Sequence, residues 1–357
     1  MREEADAPLS ALTTMRVGGP ARRLVTVATT DDLVDAVREV DDAGEPLLVL
    51  GGGSNVVVAD EGFAGTVVHV ATRGVRQESA DFCGGAMVRV AAGEPWEDLV
   101  ALAVQNRWAG IEALAGIPGS TGATPIQNVG AYGQEVAQTI ATVRTWDRQQ
   151  QRVRTFANSD CRFTYRHSLF KDEPRYVVLE VLFQLRLATQ GGPVAYPALA
   201  AALGVHVGTR VPAAEVRDAV LGLRRARGMV LDAQDPDTWG CGSFFTNPVL
   251  TSDAYAELAA RVAARLGAES PPPPRFDAPG GSVKTSAAWL IERAGFGRGY
   301  GLPGPAALST KHPLALTNRG SATAADVMAR AREVRDGVEA SFGIRLVNEP
   351  VLVHVAF

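Results

Sequence analysis

Helical and strand periodicities alternate along the chain. Leu33, Val34, Val37 and Val40 recur at helical spacing behind Asp31, a capping residue type, and the stripe stops at Gly44. The strand Leu47 to Leu50 follows. Two β-branched runs, Asn55 to Ala59 and Gly65 to Val70, then flank the turn Asp60-Glu61-Gly62. A second unit begins near Thr72, with a strand Met87 to Ala91 and a helix that Pro95 opens. Trp96, Leu99, Val100, Ala103 and Val104 form that helix's apolar stripe, which ends near Gly110. Thr139 to Trp146, Arg152 to Phe156 and Tyr176 to Leu187 read as further strands. After Arg227 a third unit shows helices at Ser252 to Leu266 and Ser286 to Ala294. Pro271 to Pro274 lies between them, as a stiff connector or a segment read by a partner. Thr323 and Asp326 predict a capping box for a last helix with Val327, Ala331, Val334, Val338 and Phe342 on one face and Gly343 as its stop.

Three stretches break this pattern: Leu50-Gly51-Gly52-Gly53-Ser54-Asn55, Gly116-Ile117-Pro118-Gly119-Ser120-Thr121-Gly122, and Cys241 to Pro248. Glycine lets consecutive N–H groups converge on an anion without Cβ interference. In a dinucleotide fold or a P-loop such a turn opens a helix. Here a strand follows the first stretch, no Gly-Lys-Ser/Thr follows either glycine group, and Gly51 to Val56 lacks the third glycine of the dinucleotide fingerprint. Each of the two glycine stretches is a phosphate cradle between strands or an ordinary glycine hairpin. A side chain at Gly52 would meet the phosphate, and a positive φ there would add strain.

Length and composition narrow the class. The chain has 357 residues, enough for two or three domains, with 21% charged and 46% hydrophobic residues and no run able to span a bilayer. The acidic start, Met1 to Asp6, lacks the regions of a signal peptide, which predicts a cytoplasmic protein. Cys83, Cys161 and Cys241 are odd in number and far from any ligand spacing, so neither a disulfide framework nor a metal site is expected. A net charge of −4 excludes a global field for nucleic acid. Arg217, Arg224, Arg225 and Arg227 form the basic cluster, read as a solvated helix face in preference to a binding patch.

Three positions offer chemistry. Arg166, in Tyr165-Arg166-His167-Ser168-Leu169-Phe170-Lys171, suits a carboxylate or forms a surface salt bridge. Ser243, between Gly242 and Phe244-Phe245, is an exposed hydroxyl or a turn serine bonded to its own backbone. Glu349, between Asn348 and Pro350, is an acid or a solvated strand end.

Together these stretches resemble the UDP-N-acetylenolpyruvoylglucosamine reductase family, flavoenzymes that form UDP-N-acetylmuramate for peptidoglycan. The resemblance runs from Thr14-Met15-Arg16-Val17-Gly18-Gly19 to Asn348-Glu349-Pro350. It is carried most specifically by the Gly51 stretch, the run Gly116 through Pro125-Ile126-Gln127-Asn128-Val129-Gly130-Ala131-Tyr132-Gly133, the Tyr165-Arg166 motif and Gly242-Ser243-Phe244-Phe245. It implies an α+β chain: a two-domain FAD-binding fold of the PCMH type plus a third α+β substrate-binding domain that closes over the sugar nucleotide. The implied divisions are 1–71, joined by 345–357, then 72–228 and 229–344. It implies FAD held by Leu50, Gly51, Gly52, Gly53, Ser54 and Asn55, by Gly116, Ile117, Pro118, Gly119, Ser120, Gly122 and Ala123, and by Asn128, Gly130, Ala131, Tyr132 and Arg166.

Arg166, Ser243 and Glu349 match the family's catalytic positions, and Tyr196 resembles the uridine-contacting tyrosine of the longer-loop subtype. Asn247 matches a residue of the sugar-nucleotide site. Gly228-Met229, Thr246 and Phe276 depart from residues frequent in the family, and Arg227, Lys284 and His312 are candidate substitutes at the substrate diphosphate. The implied reaction takes NADPH as reductant and UDP-N-acetylglucosamine enolpyruvate as substrate, with hydride to the β-carbon and a proton from Ser243 to the α-carbon, in a monomer. The alternatives are another FAD oxidase of this fold acting on an alcohol or sugar, and a non-catalytic UDP-sugar binding protein. Covalently tethered flavin often needs a histidine or cysteine beside the glycine loop, and Gly51 to Val58 has neither.

Overall fold

A computed structural model describes residues 1–81 and 83–357. The chain folds as two compact units. The first comprises Met1–Pro8, Pro20–Gly53 and Phe63–Val230; the second comprises Leu9–Gly19, Ser54–Gly62 and Leu231–Phe357.

Among the described residues the first unit holds two main sheets and two short two-stranded ones. In one main sheet, the strands Arg2–Pro8, Pro20–Val27, Phe63–Val70 and Leu47–Leu50 lie in that spatial order. The first pair is antiparallel and the others are parallel. The helix Thr30–Asp42 is the crossover between Pro20–Val27 and Leu47–Leu50, which run parallel on either side of Phe63–Val70. Its cap is Thr29, not Asp31: the Thr29 side chain accepts the Asp32 N–H at 3.1 Å. Capping acts one turn before the apolar stripe, and Thr29 is the residue in extended backbone. The stripe buries Leu33, Val37 and Val40 as expected.

The other main sheet is antiparallel, with Arg152–Ala157, Ile140–Asp147, Tyr176–Leu187, Gly85–Ala91 and Val75–Asp81 in order. Its long strand Tyr176–Leu187 pairs on both sides and buries Val177, Leu179, Val181 and Phe183. The helix Trp96–Gln105 ends earlier than Gly110, because Arg107 takes a φ of 59° and turns the chain into the short strand Trp108–Ala109. Trp96 stays in the core and satisfies its indole by donating to Leu114 O at 3.0 Å.

In the second unit Val56–Val58 pairs in parallel with Val351–Val353. The helices Ser252–Leu266, Ala287–Arg293 and Ala324–Phe342 pack around Phe244, Phe245, Leu290 and Phe342. The capping box at Thr323 forms: Thr323 Oγ1 accepts the Asp326 N–H at 3.1 Å and Asp326 Oδ2 accepts the Thr323 N–H at 2.9 Å. The Asp60 carboxylate accepts two further N–H groups of that first turn, from Ala324 at 2.7 Å and Ala325 at 2.9 Å. The proline run is packed into this unit instead of bridging solvent. Pro273 is buried and its carbonyl accepts the Tyr255 hydroxyl at 2.5 Å, while Pro274 O accepts the Thr285 hydroxyl at 2.7 Å. No helix among the described residues is long and apolar enough to cross a membrane.

Candidate active site

In the first unit the two glycine stretches meet. Leu50 ends its strand and the chain turns through Gly51, Gly52 and Gly53. A Cβ on Gly52 would stand 2.6 Å from Gly119 Cα, and one on Gly51 would stand 2.3 Å from Ser120 Oγ. The Gly51 contact is with the Ser120 side chain, but at Gly52 the approach is backbone on backbone and only glycine permits it. Positive φ is not the reason at Gly52, since only Gly53 of the three has it, at 58°.

Several N–H groups of the second stretch are engaged internally. Gly116 donates to Glu97 Oε2 at 2.5 Å, Thr121 to Glu94 O at 2.8 Å and Gly122 to Ala92 O at 2.7 Å. Those of Gly51, Gly52, Gly119 and Ser120 have no hydrogen-bond acceptor among the described residues. The Glu97 carboxylate is tied on its other oxygen to Arg217. Paired with Arg217, Glu97 serves as a brace for the Gly116 turn.

Arg166 sits in a tight turn. Thr164 and His167 exchange backbone bonds at 3.0 and 3.2 Å, and Arg166 takes a φ of 56°. Its Nη2 donates to Gly130 O at 2.7 Å and its carbon Cζ lies 5.2 Å from the Tyr165 ring centroid. Ser168 caps the helix Leu169–Asp172 and donates to Ile126 O at 2.9 Å. The turn is therefore built by the motif's own hydroxyl and by the Ile126 to Gly130 segment, in addition to its local sequence.

The arginines on the helix Ala213–Ala226 and just after it do not form one solvated face. Arg217 pairs with Glu97, and Arg224 donates to Met229 O at 2.9 Å while its buried Nε lacks a partner among the described residues. Burial pushes Arg224 down to about 10, with Tyr132 and Glu97 opposing the shift and Arg227 adding to it. The Tyr132 hydroxyl is raised by burial and pulled back by Arg227 and Arg224. Tyr132 and Tyr196 pack edge to face with centroids 5.7 Å apart, and Tyr196 is 45% exposed. Tyr132, Tyr196, Arg224 and Arg227 thus form one aromatic and cationic group beside Gly116, where a Cβ would stand 3.5 Å from Arg224 Nε.

Sequence reasoning missed Glu112. This carboxylate is fully buried and accepts Gly110 N–H at 2.6 Å, Gly192 N–H at 2.8 Å and Gln134 Nε2 at 2.9 Å. It joins the strand Gln190–Pro193, just before Tyr196, to the turn after Gly130. The available signal was a lone carboxylate inside the apolar run Trp108 to Leu114.

In the second unit the segment Ser243 to Val249 is held from three sides. Phe244 donates its N–H to Leu314 O and accepts that of Glu349, each at 2.8 Å. Phe245 bridges Asn348, and Thr246 donates to Val347 O at 3.0 Å. Val249 is the register partner of Lys284, and Asn247 Oδ1 accepts the Ala287 N–H at 3.0 Å. Ser243, Asn247, Lys284, His312 and Glu349 therefore belong to neighbouring segments of one hydrogen-bonded frame. The Thr14 to Gly19 motif supports it: Thr14 Oγ1 donates to Gly240 O at 2.7 Å, and the Arg16 guanidinium lies 3.8 Å from the Trp239 ring centroid. Asp237, also missed, accepts Thr310 N–H at 2.9 Å and Arg319 Nη1 at 2.8 Å, which fixes the loop that bears His312.

A family model described as the C-terminal domain of UDP-N-acetylenolpyruvoylglucosamine reductase matches residues 234–353, and one described as an FAD binding domain matches 21–155. UDP-N-acetylenolpyruvoylglucosamine reductase of Streptomyces coelicolor is 56% identical over 358 aligned positions, covering 100% of this chain and 91% of the relative. That of Thermobifida fusca is 55% identical over 350, covering 98% of each. The crystal structure of the Thermus caldophilus reductase superposes with a TM-score of 0.65 at 25% identity, over 99% of each chain.

Proposed function

The chain belongs to the UDP-N-acetylenolpyruvoylglucosamine reductase family, and on that premise we propose that it reduces UDP-N-acetylglucosamine enolpyruvate to UDP-N-acetylmuramate, with FAD bound and NADPH as reductant. The observation that carries this reading is 55% identity to a named reductase over 98% of both chains.

The residues present fit FAD. A backbone cradle that a Cβ on Gly52 would fill, where it faces Gly119, suits a diphosphate. The half-buried Arg224, whose buried Nε beside Gly116 lacks a partner among the described residues, adds fixed positive charge. When bound, FAD supplies hydride transfer from NADPH to the enolpyruvyl β-carbon. Arg166 binds the substrate carboxylate and stabilises the negative charge that develops on it. Glu349 assists that stabilisation, and Ser243 donates its hydroxyl proton to the α-carbon. Tyr196, Arg227, Asn247, Lys284 and His312 bind the uridine and diphosphate. In this reading 1–71, joined by 345–357, and 72–228 form the FAD-binding part and 229–344 the substrate-binding part, of a cytoplasmic monomer serving peptidoglycan synthesis.

The test is spectroscopic. Purified protein is expected to show a flavin absorption band that anaerobic NADPH bleaches and UDP-N-acetylglucosamine enolpyruvate restores. Flavin-free folded protein, or reduced flavin that this substrate fails to reoxidise, would overturn the reading.

A further inference from the structure

Asn128 lies in the segment Pro125 to Gly130, where the family resemblance implies a cofactor contact, yet its side-chain donors point elsewhere. The residue is buried and left-handed, with a φ of 45°. Its Nδ2 donates to Thr164 O at 2.8 Å and to Glu135 Oε2 at 3.1 Å, and its Oδ1 accepts the Ala137 N–H at 3.3 Å. An asparagine amide has two donor hydrogens, and both are spent inside the protein. Thr164 is the residue that closes the Arg166 turn.

The neighbours of Asn128 act on the same turn. Gln127 Oε1 accepts Lys171 Nζ at 3.0 Å, and that ammonium also donates to Arg166 O at 3.3 Å. Gly130 O accepts Arg166 Nη2 at 2.7 Å, and a Cβ on Gly130 would stand 3.0 Å from Arg166 Nη1. The backbone at one end of Arg166 and the guanidinium at the other are thus held by one short segment.

We propose that Asn128 is a positioning residue for Arg166: it fixes the turn through Thr164 so that the guanidinium meets a substrate carboxylate in one orientation. The step matters because two parallel N–H···O bonds demand alignment, and a misplacement of about 1 Å at a reacting group costs about 10²-fold in rate. This rests on the proposed function for the identity of the carboxylate, but the aim of Arg166 is testable without it.

Two variants separate side chain from backbone. Asn128→Gly keeps the left-handed backbone at no steric cost, and Asn128→Asp keeps the shape but loses the donors. In both, flavin content and flavin reduction by NADPH are expected to stay within twofold of the unaltered protein. Reoxidation by UDP-N-acetylglucosamine enolpyruvate is expected to slow by about 10²-fold. In an Arg166→Ala background the same substitutions should add less than twofold, because their effect travels through Arg166. A full further loss in that background, or loss of flavin from folded protein, overturns the proposal. Independently of turnover, the Arg166 Nε–H resonance of [15N]arginine-labelled holoprotein, assigned by its disappearance in Arg166→Lys, should shift or broaden in both variants; an unchanged resonance also overturns it. Absence of reoxidation in the unaltered protein would refute the functional reading instead, leaving the resonance to decide on Asn128.

Discussion

Replacing Gly52 by alanine tests the contact on which the cradle rests. The added Cβ would stand 2.6 Å from Gly119 Cα, 3.0 Å from Gly119 C and 3.2 Å from Ser120 N. All three are backbone atoms, so no side chain can swing aside. Carbon atoms pack at about 3.5–4.0 Å, so the loops must separate by about 1 Å. Overpacking of this kind costs about 1–3 kcal/mol. If that cost falls wholly on the proposed cofactor loops, it is about a 5- to 150-fold weaker affinity for FAD, since about 1.4 kcal/mol is tenfold. The assay is flavin-to-protein stoichiometry after dilution and gel filtration, with circular dichroism to follow the fold. Gly222→Ala is the control: it lies in the helix Ala213–Ala226, its Cβ meets nothing within 4 Å, and its φ is not positive. That change is expected to leave flavin content alone and to stabilise by about 0.5–1 kcal/mol through helix propensity. Full flavin retention by Gly52→Ala would refute the steric argument.

Three further outcomes are expected. Ser243→Ala should retain flavin and its reduction by NADPH while slowing substrate-driven reoxidation by about 10²–10⁴-fold, as for loss of a general acid, with Ser243→Cys recovering part of it in stopped-flow traces. Burial pushes the thiols of Cys161 and Cys241 up to about 12, whereas Cys83 is exposed, so Ellman's reagent should titrate one thiol of the native protein and three in denaturant. Burial, aided by Arg73, holds His69 below the ordinary histidine range, so its neutral form is favoured in the folded chain. Stability from this source is complete above the unfolded pKa of about 6.5 and is lost as pH falls through that value toward the lower folded pKa. Urea midpoints between about pH 7 and 5 should fall less steeply for His69→Gln than for the unaltered chain.

By itself the sequence determined what depends on residues a few positions apart. The apolar stripes of Thr30–Asp42 and Ala324–Phe342, the capping box at Thr323 and the strand runs of the antiparallel sheet are read from spacing because helices and strands close their bonds locally. The chemical residue types at Arg166, Ser243 and Glu349 were visible for the same reason: they stand in short motifs. Tertiary structure decided the rest. That Gly52 faces Gly119, that the Thr14 to Gly19 motif supports the frame around Ser243, and that Arg217 is consumed by Glu97 are contacts between distant segments. Periodicity carries no information about such pairs, because burial of a polar group is set by what packs over it. Asn128 shows the difference: its type and left-handed backbone suit its place at a short turn, but the destination of its two N–H bonds, Thr164 and Glu135, is fixed only when the segments are folded together.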